Sequence, residues 1–430
     1  MKSRHIWIFL VLLILPAGSL LNAQRAGIGT TTPDNSAILD ITSNDKGLLI
    51  PRLTSAQRVG IASPAVGLMV FDTDLNGFCY YNGTAWVEVG KESNTWKVTG
   101  NTGNTNSNFL GTTDAMPVPL RLNNLKAGSW DGTNRNYSIG VGALDSITTG
   151  KGNVALGQKA LFSDKTGNQN VAIGDSALLD NLVSGNVAVG GRALRYNTTG
   201  SANVAIGYEA MLNSHIGHRN IAIGRYAMRN IVVGDQNIAI GDSALITNQN
   251  GLSNTAMGSS ALMSNTYGNN NVAISTWALR NNTTGINNVA IGMNALKSNT
   301  TGESNLAIGS YSLHNNISAS SNLALGDFAL YANTYGFSNI GIGSHALENN
   351  TTGGYNTAIG GFNMQGNTTG SQNASYGNVT LGTNTTGSYN AAFGNEVMVS
   401  NTTGRSNVAM GFNALYANAV GNNNVAIGDS

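Results

Sequence analysis

Few residues in this chain have the type and spacing to do covalent chemistry. The four histidines beyond His5 are His215, His218, His314 and His345, and none stands at a metal-ligand spacing from acidic residues. Asp175, Asp242, Asp327 and Asp429 each follow a recurrent glycine but lie several repeats apart, so they build neither a carboxylate row nor a calcium loop. Glu209, Glu303, Glu348 and Glu396 are equally scattered. Glycoside hydrolysis would need two carboxylates facing one another at roughly 5–10 Å. The many short glycine motifs lack a following Lys-Ser/Thr and do not read as phosphate loops. The single cysteine, Cys79, allows no disulfide within the chain and no thiolate zinc site. The expectation is a protein without catalytic, cofactor-binding or metal-binding residues, and not an enzyme.

Non-covalent binding is a different matter. Tyr226, Trp277, Tyr311, Phe328 and Phe362, together with His345, all fall two residues after a recurrent glycine position. Stacked in line, such rings could stiffen a rod, join chains, or offer sugar rings a rigid platform. They are the candidate glycan-binding stripe.

The element that must position them is a repeat. A motif of the type Asn-Val-Ala-Ile-Gly occurs eighteen times between Asn136 and Gly428, in steps of 17 residues with one step of 16 between Gly174 and Gly190. Each unit continues as x-x-Ala-Leu and a polar turn, which is Asn-Thr-Thr-Gly in seven copies, such as residues 197–200. Glycine closes sixteen of the seventeen linkers, Ala319 being the exception, and suggests a turn with positive φ. Alternation in Asn170-Val171-Ala172-Ile173-Gly174 predicts a short strand with Val171 and Ile173 on one face and Ala172 on the other. Leu178 adds a third aliphatic group. Stacked copies would then bury a column of aliphatic side chains and leave the alanines as a close-approach face for another chain.

Helical repeats need about 33 or more residues per unit, so the architecture is all-β. We expect a parallel β-solenoid of about 18 coils, making a rod of about 85 Å at one coil per ~4.8 Å. Asparagine opens every copy. Asn153, Asn170, Asn203, Asn288 and Asn407 are examples of a structural ladder in which carboxamides hydrogen-bond from coil to coil.

Composition agrees with that architecture. Charged residues are 10% of 430, against roughly 25% in a typical domain, while 41% are apolar and 55 are glycine. With a net charge of +1 and no basic block there is no footprint for nucleic acid. Residues 1–23 have a charged start, an apolar core at Ile6–Leu15 and a small residue at Ala23, and read as a signal peptide. That places the mature chain outside the cell, secreted or at its surface, with no membrane span after cleavage. Residues 24–90 form a small β-rich module: strands around residues 67–71, 78–81 and 86–89, and a short helix from Thr54. Residues 91–135 make an Asn/Thr/Gly-rich connector or collar, and 136–430 the repeat domain.

The repeats resemble the head repeats of YadA-type trimeric autotransporter adhesins, whose Val-Ala-Ile-Gly core coils into a left-handed parallel β-roll with three chains to a head. That resemblance implies a homotrimer and a host glycan or matrix ligand. The period of 17 is longer than that family's usual one, and the family's coiled-coil stalk and membrane barrel do not follow. Gly27-Ile28-Gly29-Thr30-Thr31-Thr32-Pro33, Lys46-Gly47-Leu48-Leu49-Ile50-Pro51-Arg52 and Tyr80-Tyr81-Asn82-Gly83-Thr84-Ala85-Trp86 resemble a module of exported Bacteroidota proteins that precedes fibrous or phage-tail-fibre-like regions. Two functions follow as expectations. One is an exported structural or adhesive fibre presenting a multivalent repetitive surface. The alternative is a truncated tail-fibre-like protein whose receptor-binding or enzymatic domain lies beyond Ser430, because the sequence stops inside a repeat.

Overall fold

The computed structural model describes residues 25–90 and 111–429. The signal segment 1–23 and residues 91–110 of the connector lie outside the described residues. Two compact units divide between Leu110 and Gly111.

In the first unit, β1 (Ala26–Ile28) pairs in parallel with β2 (Leu39–Ile41). A separate four-stranded sheet has the order β3 (Arg52–Leu53), β4 (Met69–Asp72), β5 (Gly77–Tyr81) and β6 (Trp86–Glu88). Between β3 and β4 runs a one-turn helix, α1 (Ser55–Val59), started by Thr54 and Gln57 in a reciprocal capping box. Asp72 is the buried hub of this sheet. Its carboxylate accepts from Arg58 Nε at 2.7 Å, from Ser55 Oγ at 2.8 Å, and from the N–H groups of Asp74 and Leu75. Burial pushes the carboxyl pKa up, but Arg58 and the other donors outweigh it and hold the group at about 2.

The second unit opens with a hairpin, β7 (Val118–Leu122) and β8 (Leu125–Asp131), that pairs antiparallel onto β9 (Asn136–Ile139). Residues 111–135 of the sequence-defined connector therefore belong to the solenoid unit, and the hairpin covers the edge of its first coil, where an open strand would otherwise invite pairing. From β9 onward, seventeen further strands of three residues follow, β10 (Val154–Leu156) to β26 (Val425–Ile427), each parallel to the one before. The register advances 17 residues per coil, apart from β11 (Val171–Ile173) to β12 (Val187–Val189), where Val171 faces Val187. No pairing joins β26 to β7 among the described residues, so the ladder is open.

The interior is the reverse of the expected one. Ala172, Ala177 and Leu178 are fully buried, and the same triplet of Ala, Ala and Leu or Met fills coil after coil. Val171 is half-buried and Ile173 exposed. The coil is so narrow that the inward strand position holds only small residues, Ala in most coils and Ser138, Gly341 or Ser375 in the others. The larger aliphatics turn outward. Leu178 reaches the core from a left-handed backbone (φ 50), as does every equivalent Leu or Met, a conformation that costs about 1–2 kcal/mol per residue.

Glycine is needed for two different reasons. The glycine ending each strand, such as Gly157 (φ 131), has a positive φ, and a Cβ there would lie 2.5 Å from the carbonyl oxygen of Gly174. The turn glycine, such as Gly285, lies outside the positive-φ region, against the sequence expectation. Close approach requires it instead: a Cβ would meet the Gly302 carbonyl and the Asn282 Oδ1, both at 2.4 Å. In the shortened linker Val183 occupies that position, and Gly185 (φ 78) comes two residues later.

Candidate functional site

Two asparagine ladders lock each coil to the next. In the first, Asn288 donates its backbone N–H to Asn271 Oδ1 at 3.0 Å, and Nδ2 to the same oxygen at 3.2 Å and to the Gly302 carbonyl at 2.8 Å. Asn153, Asn170, Asn203 and Asn407 have the same backbone donation to the preceding asparagine, at 2.9–3.1 Å. The second ladder, which sequence reasoning missed, is the asparagine of the polar turn. Asn299 Nδ2 donates to Asn282 Oδ1 at 2.9 Å and to the Gly302 carbonyl at 3.1 Å. One turn carbonyl is thus clamped by both ladders, and the signal was present: Asn opens Asn-Thr-Thr-Gly at the same 17-residue beat. Ser214 and Ile231 interrupt this column, and Asp164 stands in it as a carboxylate. Burial pushes the Asp164 pKa up, against hydrogen bonds from the Gly167 N–H and from the Asn181 and Asn170 amides.

With the coils held in register, the residue two places after the strand glycine recurs on one face. Tyr226, Trp277, Tyr311, Phe328 and Phe362 all have left-handed backbones, with φ from 52 to 61. Tyr311, Phe328, His345 and Phe362 form a continuous stack. Successive centroids lie 5.2, 5.2 and 4.9 Å apart, with planes within 6° of parallel. His314 and Tyr331, three residues further along their coils, stack beside it at 5.2 Å, a second row that the sequence reading did not single out. Burial lowers the His314 pKa, and the Lys297 charge adds to the effect. His345 Nδ1 meets Glu348 Oε2 at 2.9 Å.

In this stack the ring faces contact each other, so the surface presented to a ligand is a ridge of ring edges. A sugar platform needs free faces. The stack therefore does not join Tyr226 and Trp277, which stand apart from it and are flanked by cations. Arg225 and Arg229 lie 5.1 and 5.6 Å from the Tyr226 ring centre, and Lys297 and Arg280 lie 5.1 and 5.8 Å from that of Trp277.

A third face is that of the strands. Neither outward position in any of the eighteen strands β9–β26 holds a charged residue; most are Val, Ile or Leu, half-buried or exposed, and the others are Tyr, Phe, Met, Ala or Thr. Isolated subunits rarely expose a contiguous apolar surface above a few hundred Å².

Residues 27–106 match the family model described as a phage tail like trimerisation region. The matched stretch covers the whole four-stranded sheet of the first unit and ends four residues short of the unit's boundary at Leu110. No curated protein and no solved structure matches the chain. What stands is a repeat protein: a trimerisation module followed by a long parallel β-solenoid. Among the described residues, no group of three or more His, Cys, Asp or Glu side chains could hold a metal ion. No described helix is long and apolar enough to cross a membrane.

Proposed function

We propose that this chain is the shaft of a tail-fibre-like assembly of three copies, in which the first unit brings the chains together and the solenoids pack along their strand faces. The observation that carries the reading is the uncharged, mainly Val, Ile and Leu stripe along the eighteen strands, on a chain whose residues 27–106 match a trimerisation region. Three chains tethered at one end hold one another's stripes at high effective concentration, so modest contacts per coil add up along the rod. The resemblance of the repeats to YadA-type heads supports the same number of chains. In this reading the protein acts by stiffness and length outside the cell, not by turnover.

Sedimentation equilibrium of the full chain tests the proposal. A mass of three chains is expected, and a monodisperse monomer at micromolar concentration would end it. Replacing Ile223 and Ile240 by glutamate should weaken association while leaving the coil intact, because both side chains are already partly in water.

A second reading, attachment to a surface glycan or matrix through multivalent display, is supported by the face that carries Tyr226 and Trp277. That face is repeated on every chain of an assembly and is distinct from the strand stripe.

A further inference from the structure

The charges on the aromatic-bearing face are sorted along the rod. The residues one, two, five and six places after each strand-end position together make up this face. In the seven coils that begin at residues 190, 207, 224, 241, 258, 275 and 292, these places hold Arg192, Arg195, Arg225, Arg229, Arg280 and Lys297 against Glu209 and Asp242, a net charge of 6 − 2 = +4. In the coils from Gly309 onward the same places hold Asp327, Glu348, Glu396 and Asp429 and no Lys or Arg. The whole chain has a formal charge of +1, so composition does not produce this band.

The cations of the band are held in place. Glu209, with its side chain almost wholly buried, accepts from Arg192 Nη1 at 3.1 Å and from Arg229 Nε at 2.7 Å, tying together residues two coils apart. Asp242 accepts from Arg225 Nε at 2.8 Å. Arg195 lies over the Tyr196 ring at 5.1 Å, and Arg280 over Trp277. The Nε atoms of these last two arginines are buried and have no acceptor among the described residues. A guanidinium fixed against a ring with its Nε turned inward presents its Nη groups outward without further loss of freedom. Between the cations stand Tyr208 and Trp277, 46% and 40% exposed.

We infer that this band is a binding site for an acidic polysaccharide, lying along the rod, with sugar carboxylates or sulfates on the cationic groups and sugar C–H groups against the exposed parts of the Tyr208 and Trp277 rings. Guanidinium pairs in bidentate fashion with a carboxylate or with two oxygens of a tetrahedral oxyanion. Six cations over seven coils, about 33 Å at ~4.8 Å per coil, suit a single strand with spaced charges. Duplex DNA, with a charge every ~1.7 Å of axis, would demand a denser array. The site is complete on one chain and does not depend on the proposed assembly, so its test is separate from the mass measurement.

The experiment measures binding of the full chain to four immobilised probes at near-physiological salt: polygalacturonate, heparin, dextran and a single-stranded oligothymidylate. Binding to polygalacturonate or heparin, with dextran unbound and the oligonucleotide weaker, is expected. Which of the two binds more tightly tells carboxylate from sulfate. The triple variant Arg195→Gln, Arg280→Gln, Lys297→Gln removes no ion pair and only the three cation–π contacts, so its circular dichroism should match the parent and its melting temperature fall by a few degrees at most, while affinity falls about tenfold or more. Arg219→Gln, a cation off this face, should change affinity less than twofold. Failure to bind either acidic polysaccharide, equal binding to dextran, tighter binding to the oligonucleotide, or an equal loss with Arg219→Gln would each overturn the assignment.

Discussion

Ala172 is sealed from solvent, while Ile173, the next residue, is 37% exposed. The small residue is inside and the large one outside, and this inversion sets both the stability of the rod and its capacity to associate.

Ala290→Leu places three extra carbon atoms in a column with space for one methyl group. Overpacking of this kind costs about 1–3 kcal/mol. Val289→Thr, one residue earlier on the outward face, should change the stability of the coil by less than about 0.5 kcal/mol. Urea unfolding of the two variants compares the faces directly, and the opposite ranking would restore the aliphatic core expected from the strand pattern.

The two ladders are unequal. Asn288→Ala strips the acceptor from the Asn305 N–H and from one Asn305 Nδ2 hydrogen, both buried. At about 1–3 kcal/mol for each unsatisfied donor, the loss should be roughly 2–6 kcal/mol. Asn282→Ala leaves Asn299 Nδ2 still bonded to the Gly302 carbonyl and should cost less, in line with the natural break at Ile231. Denaturant midpoints of the two alanine variants give the comparison.

Ser275 alone replaces glycine at the end of a strand, with φ 105. A side chain in that region stores about 1–3 kcal/mol of strain, and a glycine gives back roughly 0.5–1 kcal/mol through unfolded-state entropy. Ser275→Gly should therefore stabilise the chain by about 1 kcal/mol, read as a higher denaturant midpoint.

Asp164 carries a raised pKa where other coils have a neutral amide. The native state holds that proton more tightly than the unfolded chain does. Its contribution is full below the ordinary value of 3.8 and is lost as pH rises through the native pKa. Asp164→Asn should raise the melting temperature at pH 7 and give no gain below pH 3.8. A constant difference across that range would show that the carboxylate is not responsible.

Asp72 behaves in the opposite sense. Its pKa is depressed to about 2, so its stabilisation of the first unit is present above the ordinary 3.8 and disappears as pH falls towards 2. Hydrogen-exchange protection of the 51–75 segment, after correction for the intrinsic pH dependence of amide exchange, should fall over that interval, and Asp72→Asn should remove that fall.

The period, the parallel stacking and the first asparagine ladder were legible because each is a local pattern repeated eighteen times, and a stacked array puts like residues over like. The helix after Thr54 and the strands flanking the Asp74–Gly77 turn were legible for the same local reason: a capping box and a hairpin signal lie within a few residues. Asn282 and its equivalents escaped notice because the segment read simply as a polar turn, whereas its carboxamide is fully buried.

What the sequence determined by itself is that residues 17 apart must superimpose, since no single coil can bury its own apolar groups. It did not determine which side of the strand faces inward: alternation with a period of two is unchanged when the faces are exchanged. That choice belongs to the tertiary structure, where the Leu178 side chain across the narrow coil leaves room for the Ala172 methyl group alone. The same closure turned the Val/Ile column outward, set the aromatic rings face to face, and gathered six cations from four coils onto one band.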